Sequence, residues 1–496
     1  MGIRLDPSLL LHMGATGASL GIDTLVIDGV TADSRQAVSG QIFVAVRGEH
    51  TDGHDFISEA LARGAACVVA ERIPERADFT FVRVVDSRVA LAVLAAAVHG
   101  DPTGAFALVG VTGTDGKTST AMLVEAGMQA AGLTTGLIGT VAYRFAGESV
   151  DAPMTTPDAV MLNDLFARMV ARGVGGVAME VSSHALDQRR VEACRFDCAL
   201  FTNLTRDHLD YHKTLSAYAD AKMRLFTEVL PASSKAKGAV VNADDPMSSR
   251  IVRACPLPTL SFSLEKEADL NVSSSEVSLD GLKAEIRTPW GPMSIESPLL
   301  GRHNLANILA AIGACGVIGL PVREVAAGIC RLDRIPGRME RVRGVRPLKV
   351  FVDYSHTPKA LENALSVLRP LSKDGRIVVV MGAGGDRDRG KRPLMGQTVA
   401  QLADSVVVTS DNPRTEDPLA IIDQIMEGVH GVSNGRAAGH VVVEPDRRKA
   451  IAQAIRNAAA RDVILIAGKG HEDYQIIGTK RIHFSDVEVA REMLDA

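Results

Sequence analysis

Short apolar runs alternate along this chain with longer stretches in which apolar residues recur every three or four positions. Runs of four to six residues at 41–46, 66–70, 105–109, 136–140, 176–180, 198–201, 349–353, 376–381, 405–409 and 463–467 read as strands. Between them, 56–63, 121–131, 217–229 and 304–320 carry helical spacing. Strands alternating with helices predict mainly parallel sheets with helices on both faces, the α/β class. A more β-like stretch, 259–293, interrupts the alternation. The turn G-D-P-T-G at 100–104 and the segment I-P-G-R from 335 read as boundaries. They divide the chain into a small N-terminal α/β domain at 1–104, a central domain at 105–335 and a C-terminal Rossmann-like α/β domain at 336–496. In the last, each strand ends in a polar or glycine-bearing loop, and in open α/β sheets ligands gather at those carboxyl ends.

The balance of 54 basic and 59 acidic residues leaves a formal charge of −5, which gives no electrostatic footprint for nucleic acid. Local basic clusters at 338–346 and 387–392 suit phosphate or carboxylate groups better than a DNA groove. Six cysteines without paired spacing read as reduced thiols, and Cys194 and Cys198 have no second pair with which to build a zinc site. Asp6 and Pro7 interrupt any signal-peptide pattern, and the longest apolar run, ten residues at 89–98, is too short to span a bilayer. These features predict a soluble, cytoplasmic protein without membrane insertion; a monomer is expected, though no feature of the sequence fixes the oligomeric state.

The most informative segment is G-V-T-G-T-D-G-K-T-S-T at 110–120, lying between a strand and a helical stretch. Such a loop turns successive backbone N–H groups into one concavity, and the helix N-terminus adds positive potential there. Gly113, Thr114, Asp115, Gly116, Lys117, Thr118 and Ser119 are therefore expected to hold a nucleoside triphosphate. Lys117 would reach the β- and γ-phosphates and the Thr118 hydroxyl would sit on Mg²⁺. Val111 holds the first glycine position of the strict pattern, and Gly113 is an extra glycine. A ligand-free glycine turn would need no lysine followed by three hydroxyl residues. Glu180 closes the strand 176–180. It would suit a solvated loop, but its place at a strand end beside the phosphate loop favours a second oxygen ligand for Mg²⁺. The spacing of His208 and His212 puts both on one helix face, as in some zinc sites, yet there is no H-E-x-x-H; either could simply be a satisfied polar residue. By spacing alone Lys222 is an ordinary surface lysine.

Residues 110–120, E-V-S-S-H at 180–184, D-H-L-D-Y-H at 207–212, G-R-H-N-L-A-N at 301–307, P-G-R at 336–338 and D-Y-S-H-T-P at 353–358 together resemble the Mur ligases, ATP-dependent amide-forming enzymes of peptidoglycan precursor synthesis. The motifs span the chain in the family's order. The resemblance implies three domains: a uridine-nucleotide domain, a central P-loop ATPase domain and a C-terminal domain that binds the incoming amino acid. It implies that Lys222 is carbamylated by CO₂ and holds a second Mg²⁺ with His208. It assigns Asn304 and Asn307 to the adenine side, Arg338 to the phosphates, and Asp353 and His356 to the loop that meets the nucleotide when the third domain closes. Asp115 stands where the family more often has Asn, and a carboxylate near phosphates is awkward unless it faces away or meets Mg²⁺.

The segments T-A-D-S-R at 31–35 and G-Q-I-F-V-A-V at 40–46 resemble the uridine-nucleotide part of the tripeptide-forming branch. That likeness implies a UDP-muramoyl dipeptide substrate, with Ser34 at the uracil or ribose and Thr155, Thr156, Ser182, Gln188 and Arg190 at the sugar and peptide. Arg190 suits a diphosphate or a D-glutamyl carboxylate on chemistry alone. Asp411, Asn412, Pro413 and Arg414 follow a strand. Asn-Pro favours a turn, while Arg414 offers a planar fork for a carboxylate and Asp411 and Glu472 offer partners for ammonium groups. Gly468 would allow close backbone approach to a ligand. In the family, D-N-P-R marks enzymes that add meso-diaminopimelate, whose distal carboxylate lysine lacks. A site built for that carboxylate can reject its absence ~10⁴-fold. Arg387, or Arg389 close by, would meet another carboxylate. The alternatives are a related ligase adding L-lysine or another amine, and a nucleotide-binding switch without turnover.

Overall fold

The computed structural model describes residues 2–48, 51–75, 77–372, 375–437 and 440–496. They group into two compact units. The first comprises Met1–Ser273, Ile286–Met293 and Leu305–Ile329; the second comprises Ser274–Glu285, Ser294–Asn304 and Cys330–Ala496.

The first unit is organised around two large sheets, beside a two-stranded antiparallel pair of Ile3–Arg4 with Val26–Ile27. The N-terminal sheet runs in the order Ala15–Ala18, Phe81–Val84, Cys67–Ala70, Gln41–Val44, Gly29–Thr31, with only its first strand antiparallel. Side chains alternate across it. Ile42, Val44 and Val69 enter one core with Leu94, while Phe43, Val68 and Ala70 enter a second with Ala60. In the larger sheet Ala107–Thr112 lies between Gly176–Glu180 and Cys198–Phe201. Thr135–Ile138 continues it on one side, Gly238–Asn242 and Thr259–Ser263 on the other, all parallel. Phe106, Phe166, Phe196 and Phe201 fill its main core.

The second unit is built on a six-stranded sheet ordered Glu340–Val342, Lys349–Asp353, Val463–Ala467, Ile377–Met381, Ser405–Val408, Val441–Val443. Every neighbouring pair is parallel except the first. V-I-L-I-A at 463–467 is apolar throughout because helices cover both faces. Leu465 faces one core and Ile464 and Ile466 the other.

Several elements shift against the expectations from spacing. The strand before the phosphate loop runs on through Thr112, and the helix begins at Lys117. The helix expected at 217–229 starts at Leu215, capped by the Thr214 hydroxyl, and passes at Leu225 into a π-helical turn. The helix expected at 304–320 spans Arg302–Val317. His208 precedes the four-residue helix Leu209–His212 in a left-handed conformation, so His208 and His212 do not share a helix face. All six cysteines are free thiols, five of them buried. Among the described residues no helix is long and apolar enough to cross a membrane.

Candidate active site

In the first unit, register brings three strand ends level. Val111 pairs with Glu180, and Thr112 pairs with Phe201. The loops that follow all leave from the carboxyl edge of the sheet, where α/β folds place ligands. Gly113 has φ +150° and Gly116 φ +82°. A Cβ at Gly113 would lie 1.9 Å from the Thr202 hydroxyl, and one at Gly116 2.7 Å from Asn307 Oδ1, so neither position accepts a side chain. Neighbouring strands hold the loop. The Thr114 N–H donates to the Asn203 carbonyl at 2.9 Å and the Asp115 N–H to Asn203 Oδ1 at 2.9 Å. The Thr202 hydroxyl donates to the Asp115 carbonyl at 2.6 Å. Thr118 and Ser119 are buried in the first helical turn, and the Thr120 hydroxyl donates to Asn307 Oδ1 at 3.2 Å. The exposed Asp115 carboxylate accepts from the Thr205 hydroxyl at 3.4 Å. Lys117 Nζ rests on the Gly113 and Thr114 carbonyls at 2.9 and 2.7 Å.

Lys222 is not a surface lysine. It is 1% exposed, lies 4.4 Å from the centre of the Tyr218 ring, and donates to the Gly113 carbonyl at 2.7 Å. Burial, reinforced by the Lys117 charge, pulls its pKa well below that of an ordinary lysine. Tyr218 in turn meets the Thr114 hydroxyl at 3.2 Å. The half-exposed His208 stacks edge-on at 4.9 Å from His184 and at 6.0 Å from Tyr218. Partial burial, with His208 and His212 nearby, lowers the His184 pKa to about 4.

Glu180 is 1% exposed and receives the Thr140 N–H at 2.7 Å and the Thr140 hydroxyl at 3.2 Å. From it a continuous hydrogen-bonded set extends. The Thr140 and Thr155 hydroxyls meet at 3.1 Å. Thr156 Oγ1 donates to the Glu180 carbonyl at 2.8 Å and accepts from the Ser182 N–H at 3.0 Å. Ser182 caps the helix Ser183–Asp187. Arg190 donates to the Thr156 carbonyl at 2.7 Å and forks onto Gln188 Oε1 at 3.1 and 2.7 Å. Ser34 lies elsewhere in the unit, buried, with its hydroxyl on Glu59 at 2.8 Å.

In the second unit, Asp353 pairs with Ala467 and Met381 with Val408, again aligning strand ends. Asp353 accepts from the Met339 N–H at 2.7 Å and from the Ser355 hydroxyl. His356 Nδ1 donates to the Tyr354 carbonyl at 2.8 Å. The Tyr354 ring lies 5.3 Å from the Arg338 guanidinium, and 4.6 and 5.1 Å from the His356 and His471 rings. Asn304 donates to the Leu300 carbonyl at 2.8 Å. Asp411 and Glu472 flank Lys469, which is fully buried at 3.7 Å from Asp411 and 3.0 Å from Glu472. Asn412 donates to Glu472 at 2.8 Å. Gly468, φ +117°, has Asp411 Oδ2 where its Cβ would be, 2.7 Å away. Arg414 donates to the Gly385 carbonyl at 2.7 Å; Arg387 is exposed, and Arg389 pairs with Glu416 at 3.2 Å.

Sequence reasoning did not single out Gly139, Thr140, Asn203 or Tyr218, nor Lys469, Arg392 and Glu416. Gly139 permits the Glu180 placement, since a Cβ there would lie 2.3 Å from Glu180 Oε1. A glycine directly after an apolar run was the one available signal. The others act through partners far away in the chain.

Residues 26–99 match the model of the Mur ligase family catalytic domain, 111–315 the Mur ligase middle domain, and 337–470 the Mur ligase glutamate ligase domain. A protein of Geobacter metallireducens named UDP-N-acetylmuramoyl-L-alanyl-D-glutamate--2,6-diaminopimelate ligase is 46% identical, covering 97% of this chain and 96% of that one. The chain belongs to the Mur ligase family. A Geobacillus kaustophilus protein of the same name is 45% identical, with 92% and 93% of the two chains covered. Among solved structures, one described by that name has a TM-score of 0.73 at 32% identity, covering 100% of this chain and 99% of its own. As in that Mur ligase, the fold here is α/β with mostly parallel sheets.

Proposed function

We propose that this chain is an ATP-dependent ligase of peptidoglycan precursor synthesis. It joins meso-diaminopimelate to the D-glutamyl γ-carboxylate of UDP-N-acetylmuramoyl-L-alanyl-D-glutamate. The observation that carries the reading is the D-N-P-R loop, in which Arg414 reaches the Gly385 carbonyl while Asp411 and Glu472 close on Lys469, in a chain 46% identical to a protein named for that reaction. Residues 1–104 would hold the uridine nucleotide, 105–335 ATP, and 336–496 the amino acid.

The γ-carboxylate oxygen attacks the γ-phosphorus of ATP, giving an acyl phosphate and ADP. The amine nitrogen of diaminopimelate then attacks the acyl carbon, phosphate leaves, and the nitrogen loses a proton. Loop N–H groups and Lys117, released from its own carbonyls, hold the phosphates. Thr118 and Glu180 supply one hydroxyl and one carboxylate, a donor set that fits Mg²⁺, which takes its remaining oxygens from phosphate and water. When bound, the ion adds positive charge beside the transferring group. Lys222, whose burial shifts it toward the neutral amine, would add through its nitrogen to CO₂ and lose a proton; the resulting carbamate, with His208, would hold a second Mg²⁺. Thr155, Thr156, Ser182, Gln188 and Arg190 hold the acceptor's sugar and peptide, and Ser34 its uridine. Asn304, Asn307, Arg338, Asp353 and His356 serve the nucleotide, and Arg387, Asp411, Asn412, Arg414, Gly468 and Glu472 the amino acid.

The test is phosphate release from ATP with the UDP-muramoyl dipeptide, comparing meso-diaminopimelate with L-lysine and weighing the product by mass spectrometry. Release and tripeptide with diaminopimelate alone are expected. Release with lysine instead would keep the ligase and discard the amine; release with neither would discard the acceptor.

A further inference from the structure

The helices Lys391–Leu402 and Pro418–His430 pack backbone against backbone. A Cβ at Gly396 would lie 2.0 Å from the Ile425 carbonyl oxygen, and one at Gly428 1.8 Å from that of Pro393. Arg392 extends from this base with a wholly buried side chain. Its Nη1 donates to Glu416 Oε2 at 3.0 Å and Gln424 Oε1 at 2.8 Å. Its Nη2 donates to Glu416 Oε1 at 2.9 Å and the Gly384 carbonyl at 3.0 Å. Glu416 also accepts the Asp386 N–H at 2.6 Å. The Arg392 fork and that N–H hold the Glu416 carboxyl down at about 2, so it stays ionised at working pH.

Around this fork, loops 384–387 and 411–416 are stitched together. The Asp386 carboxylate accepts the Thr415 hydroxyl at 2.8 Å and its N–H at 3.2 Å. The Gly385 N–H donates to the Asn412 carbonyl at 2.9 Å. A Cβ at Gly385 would lie 1.8 Å from the Pro413 carbonyl oxygen, so the loops meet at backbone distance. Arg414 has φ +52°, an uncommon conformation for a residue with a β-carbon. Its N–H on the Ile476 carbonyl at 3.0 Å and its carbonyl under the Gly478 N–H at 2.7 Å hold it there. Where Arg414 points thus depends on where the chain returns at Glu416, two residues on.

The geometry points to Arg392 and Glu416 as a positioning pair that sets selectivity for an amino acid bearing a distal carboxylate. Their bidentate contact fixes one loop on the other, and with it the guanidinium of Arg414. This rests on the reading that Arg414 receives the distal carboxylate. A shift of about 1 Å in that guanidinium weakens a direct ion pair with diaminopimelate. An amine without that carboxylate has no such contact to lose. A pair that only supported the fold would cost both amines equally.

The full-length enzyme is assayed with ATP, the UDP-muramoyl dipeptide and either meso-diaminopimelate or L-lysine, using Glu416→Gln, Arg392→Lys and the surface variant Asp386→Ala. Arg414→Ala is the reference. The expected result is a KM for diaminopimelate raised ~10- to 100-fold with Glu416→Gln. KM values for ATP and acceptor should stay within ~2-fold, and the diaminopimelate-to-lysine ratio of kcat/KM should fall ~10-fold or more. Arg392→Lys, which keeps the charge and loses the fork, should fall between. Should Glu416→Gln not fold, Arg392→Lys and Asp386→Ala carry the test. Equal losses for both amines, or an unchanged ratio in the folded variants, would overturn the proposal. An unchanged ratio in Arg414→Ala would instead overturn the reading on which it rests.

Discussion

Removing a lysine ammonium from water costs several kcal/mol, so burial to 1% exposure beside a second lysine lowers the Lys222 pKa and shifts it toward the neutral form. A neutral amine is the nucleophile that CO₂ needs, and this is the physical case for a carbamate at Lys222. We expect Lys222→Ala to lower turnover ~100-fold, with partial recovery on adding short carboxylic acids; full activity without them would remove the carbamate from the mechanism. Gly139 matters for the opposite reason, as a place where nothing fits. With Glu180 Oε1 2.3 Å from where a Cβ would be, Gly139→Ala must push the carboxylate aside. The expected result is a kcat lowered ~10-fold or more with a urea midpoint close to wild type. Unchanged kcat would mean that Glu180 acts elsewhere or not at all.

Elements in this protein owe their alignment to a few buried charges. Arg447 and Asp486 are both 0% exposed and form a paired contact with Nη2 to Oδ2 at 2.7 Å. Arg447 also donates to the Ser410 and Ala467 carbonyls at 3.2 and 3.0 Å, tying together the carboxyl ends of two strands just before Asp411 and Gly468. Arg447→Met strands a buried carboxylate and should cost ~3–5 kcal/mol in urea unfolding. Arg447→Met with Asp486→Leu should recover most of that loss; a single variant as stable as wild type would show that Asp486 is not held by this pair. The strands themselves were legible in advance. The runs 176–180, 198–201, 349–353 and 463–467 are strands with those same ends, because a strand covered on both faces is apolar along its interior, and the charged residues Glu180, Lys349 and Asp353 fall only at strand ends. The helix at Leu215 was less legible, since its start depends on the Thr214 cap and its end on a π-helical turn.

For the whole molecule, pH acts in two stages. The folded-state pKa of His471 is lowered from 6.5 to about 4, chiefly by burial. Between those values the unfolded chain binds the extra proton, so stability falls as pH drops through that window. Asp52, Asp280 and Glu416 sit at about 2 when folded, against ordinary carboxyl values of 3.8 to 4.5. Their contribution is present above pH ~4.5 and is lost only below it. Urea midpoints should therefore decline gently from pH ~6.5 and steeply below ~4. His471→Gln should make the first limb shallower, with His184, also lowered to about 4, carrying the rest, and should leave the second; a first limb unchanged in that variant would assign it to other groups.

The order of apolar runs already carried the fold class, the loop chemistry at 110–120 and the strand end beside it carried Lys117, Thr118 and Glu180 as candidates, and the motifs between 110 and 358 carried the likeness to the family, because backbone periodicity, glycine–phosphate chemistry and short motifs are local properties of a sequence. The burial of Lys222 against a loop 109 residues away, the left-handed turn that takes His208 off its helix, and the closure of Asp411 and Glu472 around Lys469 are of another kind. So is the Arg392–Glu416 fork, formed across 24 residues of chain. Each depends on which strand ends the sheet register brings level, and desolvation and charge pairing exist only once distant segments have excluded water between them.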